Sequence, residues 1–302
     1  MKILLLGAAG QVGFELHRGL QVLSEVIPAT RDGRLPGGGS ARIADLAAPA
    51  TLETLLDDVR PDVIVNAAAY TAVDRAESEP ELAQTINAEA PGLLARWCAA
   101  HGSKLLHYST DYVFDGQGKH SWREDDATAP LGTYGRSKRD GEVAIEASGC
   151  DHLILRTAWV YAARGHNFLR TMLRLAGERD HLRVVADQIG SPTPARWIAA
   201  VSVALLARWQ AGAPWPSGLV HLTASGQTSW HGFAEAIFTT ALATGLLERA
   251  PTLEAIATSE YPTPAKRPAY SCLDTSALRE RFGISLPDWR EGVTQTLAEL
   301  AR

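Results

Sequence analysis

Lys2-Ile3-Leu4-Leu5-Leu6-Gly7-Ala8-Ala9-Gly10-Gln11-Val12-Gly13 opens the chain and decides its fold. The short apolar run Lys2–Leu6 reads as a strand buried on both faces, the kind a parallel sheet requires. Three glycines follow at a spacing of three. Gly7 permits a tight turn, Gly10 lets backbone approach a pyrophosphate, and Gly13 lets the next helix pack close to the strand. That helix, with Val12, Leu16, Leu20 and Leu23 on one face, points its N-terminus at the loop, where negative charge is favoured. A glycine triplet between a strand and a helix is the context that holds a dinucleotide phosphate.

Outward from this stretch, strands and helices alternate. Strands are predicted at Glu25–Ala29, Ala41–Ala44, Asp62–Asn66, Lys104–Ser109 and His152–Arg156, with 32–40 as a flexible loop. Helices are predicted over 50–59, over Pro80–His101 as one long element, and over Thr133–Ala147 with Val143 and Ala147 on its inner side. The alternation predicts an α/β fold with a Rossmann-type doubly wound parallel sheet. Beyond Thr157 the alternation weakens and Trp and Pro become frequent. A smaller, mainly helical C-terminal domain over the carboxyl ends of the strands is expected. The expected division is 1–157 plus about 187–224 for the dinucleotide, and about 158–186 plus 225–302 for the substrate.

Composition narrows the function classes. The chain has 302 residues, 46% hydrophobic and 21% charged, enough to bury a full core without staples. A net charge of −5 without a basic run argues against a nucleic-acid partner. No stretch approaches the ~20 apolar residues of a membrane span, so no membrane partner is expected either. Cys98, Cys150 and Cys272 lack metal-ligand spacing and read as buried thiols in a reducing cytoplasm. Glu124-Asp125-Asp126 reads as a solvated turn, the histidines as surface or strand residues, and most tryptophans as packing.

The cofactor is decided where the second strand ends, at Ala29-Thr30-Arg31. A carboxylate there would take the ribose hydroxyls of NAD; Arg31 instead offers a cationic fork to a 2′-phosphate. NADP(H) is therefore expected over NAD(H), with the adjacent Asp32 arguing the other way. Asp45 is placed either to bond the adenine amino group while Leu46 covers the ring, or to cap the next helix. Tyr134-Gly135-Arg136-Ser137-Lys138 is a Y-x-x-x-K whose ends share one helical face. An ammonium there is expected to draw the phenol pKa down toward working pH. Thr110 ends a strand at the edge where open α/β sheets place ligands, within reach of an oxygen shared with Tyr134.

The glycine spacing G-x-x-G-x-x-G resembles the extended branch of the short-chain dehydrogenase/reductases. Longer segments resemble the dTDP-4-dehydrorhamnose reductase family. They are Asn66-Ala67-Ala68-Ala69-Tyr70-Thr71-Ala72-Val73-Asp74, Tyr108-Ser109-Thr110-Asp111-Tyr112-Val113-Phe114 and Arg156-Thr157-Ala158-Trp159-Val160-Tyr161. Asp187-Gln188-Ile189-Gly190-Ser191-Pro192-Thr193 and Tyr261-Pro262-Thr263-Pro264 continue the likeness over nearly the whole chain. The resemblance implies hydride transfer from NAD(P)H to the C4 ketone of a small-molecule sugar nucleotide, dTDP-4-dehydro-L-rhamnose. It implies Tyr134 as proton donor, Thr110 bonded to the same oxygen, and Lys138 on the nicotinamide ribose. Gln11, Val12, Ala67, Ala68 and Ala69 match cofactor contacts and Trp159 a sugar contact; Asn167 and Arg267 are candidates for the substrate diphosphate.

Some family members dimerise around magnesium held by glutamates. Glu15 and Glu299 could match two of those positions, but Arg196 stands where a third is expected, so no such metal site is expected and a homodimer is left open. A sugar-nucleotide epimerase or dehydratase, and a non-catalytic NADP-binding regulatory subunit, are the alternative readings.

Overall fold

The computed structural model describes residues 1–118 and 120–301. The opening run forms β1 (Lys2–Leu6), and the glycine segment leads into α1 (Gln11–Leu20). There follow β2 (Glu25–Thr30), β3 (Arg42–Ile43), α2 (Ala50–Val59), β4 (Val63–Asn66), α3 (Val73–Ala76), α4 (Pro80–Gln84) and α5 (Ala90–His101). Next come β5 (Lys104–Thr110), α6 (Thr133–Ala147), β6 (His152–Thr157), β7 (Val160–Tyr161), α7 (Phe168–Glu178), β8 (His181–Val185), β9 (Ile189–Gly190) and β10 (Thr193–Pro194). The chain ends through α8 (Ala195–Gln210), β11 (Gly218–His221), β12 (Thr228–Ser229), α9 (Trp230–Ala243), β13 (Thr252–Ile256), α10 (Ser276–Phe282) and α11 (Trp289–Leu300).

One seven-stranded sheet, in the order β11-β6-β5-β4-β1-β2-β3, is parallel throughout. Its order reverses at β1, so the loops after β1 and β4 diverge and leave a crevice at the carboxyl ends of the strands, the place where such sheets bind ligands. The doubly wound fold is thus as the sequence reads it. Successive side chains of β1 serve opposite faces: Ile3 and Leu5 join the core shared with α1 and α8, Leu4 and Leu6 the core shared with α2 and α5. All four are fully buried, each worth roughly 1.5–3 kcal/mol, which is why the only polar member of the run is Lys2 at its half-buried start. A third core lies between α7, α9 and α11, around Leu169, Phe233, Ile237, Trp289 and Val293.

Three local expectations are corrected. The segment Pro80–His101 is interrupted by a π-helical turn at Thr85–Glu89. Pro91 has no N–H to give the Asn87 carbonyl, and the widened turn aims the Asn87 side chain between Tyr70 and Ser137, with bonds of 2.9 to 3.0 Å. Val143 and Ala147 face solvent. The inner stripe of α6 is Ser137, Lys138, Gly141, Glu142 and Ile145, because Glu142 receives both arms of the buried Arg156 guanidinium at 2.8 Å. Glu124 is tied down by the His221 amide N–H at 2.8 Å and is not simply a solvated turn residue. Leu278 of α10 packs into the core of α1 and α8.

Candidate active site

The crevice is a cleft of about 750 Å³. Its floor is the glycine loop. Gly7 has φ +75°, and a Cβ there would sit 2.7 Å from the Ala68 nitrogen. A Cβ on Gly13 would sit 2.0 Å from the Gly7 carbonyl oxygen, so only glycine lets α1 approach the turn. Gly10 caps α1 without any side-chain hydrogen bond, leaving the first amides of the helix free for an anion. These features, cradles that a Cβ would fill and an uncapped helix start, fit a dinucleotide phosphate.

At one end of the cleft stand Arg31, Asp32, Asp45 and Leu46. Arg31 is exposed and makes no ion pair among the described residues. The Asp32 carboxylate is occupied: it accepts from the Arg34 amide and the Thr30 hydroxyl, both at 3.2 Å, and the former holds its carboxyl below the usual carboxylate range. Asp45 accepts the Ala47 N–H at 3.0 Å in a local turn, and Leu46 is buried beneath it.

At the other end, β5 delivers Thr110 and α6 delivers Tyr134 and Lys138. The Thr110 hydroxyl donates to Asp111 Oδ1 at 3.0 Å and accepts the Tyr112 N–H at 3.2 Å. Burial pushes the Tyr134 phenol up to about 12, against the opposing pull of a hydrogen bond with Thr110. Burial pushes Lys138 down to about 8, with Glu142 opposing. Lys138 Nζ donates to the Tyr108 carbonyl at 2.6 Å and lies 3.1 Å from His107 Nε2. The expectation that the lysine draws the phenol down is therefore corrected: the amine is directed at β5, and the phenol stands above its ordinary value. Asp111, 2% exposed, is pushed up by burial to about 6.

Trp159 adopts φ +46° and stacks on Trp230 at 3.5 Å and 3°. Gly190 makes room, since a Cβ there would meet the Trp159 ring at 2.4 Å. Both indoles line the cleft, and Trp230 is held by Gln188, which accepts its ring N–H at 3.1 Å.

The sequence matches the family model described as RmlD substrate binding domain over residues 1–302, the whole chain. The chain belongs to this family. A dTDP-4-dehydrorhamnose reductase of Burkholderia thailandensis is 50% identical over 305 residues, covering 99% of each chain. Among solved structures, a dTDP-4-dehydrorhamnose reductase from Clostridium acetobutylicum superposes with a TM-score of 0.89 at 34% identity and covers 100% of both chains. Another, from Bacillus anthracis in complex with NADP, gives 0.86 at 32% identity with 99% of each chain covered.

The cleft brings together Gly7, Gly10, Gln11, Val12, Arg31, Asp45, Leu46, Ala67, Ala68, Ala69, Thr110, Tyr134, Lys138 and Trp159. Gly13 lies just behind its floor. Two expected diphosphate ligands stand apart from it. Asn167 caps α7 and spends its amide hydrogens on Gln11 Oε1, the Ala162 carbonyl and the Arg164 carbonyl, at 2.8 to 3.1 Å. Arg267 pairs with Asp74 at 2.7 Å and with Thr263. Neither residue lines the cleft: Asn167 braces the segment before α7, and Arg267 is held at one end of its guanidinium by Asp74. Sequence reading gave His107 and Trp230 only structural roles, as a strand histidine and a packing tryptophan, and named Asp111 only within the run Tyr108–Phe114, without a role.

Elsewhere, burial and the nearby Glu299 raise the Glu15 carboxyl, with Arg18, Arg164 and Arg196 opposing. Among the described residues no group of three His, Cys, Asp or Glu could hold a metal ion. The three cysteines are buried and free. No described helix is long and apolar enough to cross a membrane.

Proposed function

We propose that this chain reduces the C4 ketone of dTDP-4-dehydro-L-rhamnose to dTDP-L-rhamnose, the last step of dTDP-rhamnose biosynthesis, with NADP(H) preferred over NAD(H). The observation that carries the reading is a single cleft with a phosphate-binding glycine floor at one side and Thr110, Tyr134, Lys138 and Trp159 at the other. Full-length identity of 50% to a reductase of that activity supports it. The cofactor, when bound, supplies the hydride.

The residues of this chain supply the rest. The amides of Gln11 and Val12 hold the pyrophosphate, which Gly10 admits by lacking a side chain, with Ala67, Ala68 and Ala69 along the opposite wall. Arg31 takes the 2′-phosphate; Asp45 and Leu46 frame the adenine. Tyr134 gives its proton to the oxygen developing at C4. A phenol raised to about 12 stays protonated at neutral pH, while an alkoxide is more basic still, so the donor is loaded and the transfer runs downhill. Thr110 shares that oxygen once its hydroxyl turns from Asp111. Lys138 holds the nicotinamide ribose. The Trp159 indole, backed by Trp230, covers the apolar face of the deoxysugar. Asn167 steadies Gln11, and Arg267 steadies Asp74.

The same reading assigns residues 1–157 with about 187–224 to dinucleotide binding and about 158–186 with 225–302 to the substrate, supported by the third core between α7, α9 and α11. It puts the enzyme in the cytoplasm, where buried free thiols are compatible with a reducing medium.

The test is direct: NADPH absorbance falls on addition of dTDP-4-dehydro-L-rhamnose, and no oxidation with that substrate overturns the reading. Arg31→Ala weakens NADPH roughly tenfold, the loss of one charge-assisted contact, and leaves NADH unchanged. Equal losses for the two cofactors, measured as dissociation constants, remove Arg31 from 2′-phosphate recognition.

A further inference from the structure

Behind the cleft wall, hydrogen bonds run in line to Lys138. The Ala68 N–H donates to Asn66 Oδ1 at 3.2 Å, Asn66 Nδ2 lies 3.1 Å from His107 Nδ1, and His107 Nε2 lies 3.1 Å from Lys138 Nζ. Asn66 is 1% exposed, His107 0% and Lys138 2%. Asn66 and His107 face each other in register across β4 and β5. Direction propagates along such a line. A backbone N–H can only donate, so Ala68 turns the Asn66 carbonyl toward itself and the amide NH2 toward His107. Nδ1 must then accept, which places the single ring proton on Nε2. An N–H aimed at Nζ is satisfied by the lone pair of an amine; an ammonium has none.

We propose that His107 is a positioning residue that favours the uncharged amine form of Lys138 on the β5 side, and that in alkaline solution, where this form is populated, binding of a nicotinamide dinucleotide in the cleft takes one proton from solvent onto Nζ. The inference rests on the reading of the cleft as a dinucleotide site. In the bound form Nζ turns from His107 toward the ribose, because two donors cannot share one line.

The other groups around Lys138 leave this assignment intact. Glu142, one turn along α6, is spent on Arg156 and Arg139, each at 2.8 Å. Tyr134, one turn before, keeps its proton. Burial pushes His107 well below its ordinary value, so the ring is neutral and has one proton to place. Burial brings Lys138 down to about 8, within reach of the amine form.

The linkage has a definite sign. Lys138 binds its proton more tightly with dinucleotide present, so uptake is small at pH 6.5 and approaches one proton at pH 9. NADPH affinity falls as pH rises through about 8, by roughly tenfold per unit.

Calorimetric titration of the full chain with NADPH, in buffers of different ionisation enthalpy at pH 6.5 and 9, reads the uptake. Asn66→Asp supplies a carboxylate that accepts both from Ala68 and from a proton on His107 Nδ1. The ring then turns its acceptor to Lys138, which becomes an ammonium beforehand, and uptake at pH 9 is lost while NADPH still binds. His107→Gln, whose amide can accept from an ammonium, gives the same loss. Wild-type binding at pH 9 without proton uptake overturns the inference. So does uptake that persists in both variants while affinity drops equally at the two pH values, the signature of a merely structural role. Failure of the wild type to bind NADPH at either pH overturns the dinucleotide reading, and this inference with it.

Discussion

Tyr134→Phe lowers kcat by about a thousandfold, within the usual 10²–10⁴ contribution of a positioned acid, and changes the NADPH dissociation constant by less than about twofold. The substitution removes one oxygen and one proton. The ring remains to fill its place beside Tyr112, an edge-on contact at 5.6 Å. What disappears is the donor to the C4 oxygen, a contact that strengthens only as that oxygen becomes an alkoxide, so kcat and kcat/KM fall together. Steady-state assay with dTDP-4-dehydro-L-rhamnose, beside fluorescence titration with NADPH, separates the outcomes. Near-normal turnover removes the phenol from the reaction. A large loss of NADPH affinity makes the residue part of the binding wall instead. The wild-type pH profile follows from the same group. Burial raises the phenol to about 12, so its proton is retained through neutral pH and any decline from its loss falls at the far alkaline end.

Glu142→Ala is expected to cost about 3–5 kcal/mol of folding stability, the range for breaking a buried pair by removing one partner. Glu142 is 0% exposed and Arg156 2%. The guanidinium meets the carboxylate with two bonds of 2.8 Å, stacks over Phe114 at 5.1 Å, and has His221 beyond it. After the substitution that charge has no water and no carboxylate. Urea denaturation followed by circular dichroism measures the loss; a change below about 1 kcal/mol means the arginine has found another partner. Burial alone would raise the Glu142 carboxyl, but the Arg156 bonds outweigh it and hold the group below its ordinary value of 4.5. A depressed carboxylate stabilises the fold above its unfolded pKa. Its contribution is lost as pH falls below the usual carboxylate range toward the folded value, so the wild type loses stability in acid and the variant loses less.

The pair bears on how the protein could be read. Glu142 and Arg156 occupy positions where a helix pattern and a strand pattern call for apolar residues, and neither is marked in its own segment as the partner of the other. That is why Val143 and Ala147 read as the inner side of α6: the buried stripe carries the charged Lys138 and Glu142 beside Ile145, while Val143 and Ala147 face outward. Lys138 shares the cause. Its place in the Y-x-x-x-K spacing is local and legible, but what its amine touches depends on β5 lying beneath α6. Asn167 and Arg267 read as donors for a diphosphate because a sequence shows a donor and not its acceptor; Gln11, 156 residues away, takes an amide hydrogen of Asn167, and Asp74, 193 away, takes one end of the Arg267 guanidinium.

The sequence by itself determined the parallel sheet, the glycine floor, the strand edge that presents Thr110 and the helix that carries Tyr134. Each depends on periodicity or backbone freedom within about a dozen residues, which neighbours elsewhere do not alter. Tertiary structure alone decided which way each buried polar group faces: Lys138 toward His107, Glu142 toward Arg156, Trp230 against Trp159, and Asn87 out of its π-turn toward Ser137. A buried donor must find an acceptor wherever the packing supplies one. In this chain those partners lie from 14 residues away, for Glu142 and Arg156, to 71, for Trp159 and Trp230, brought together by the register of β4 with β5 and by the packing of α6 and α9.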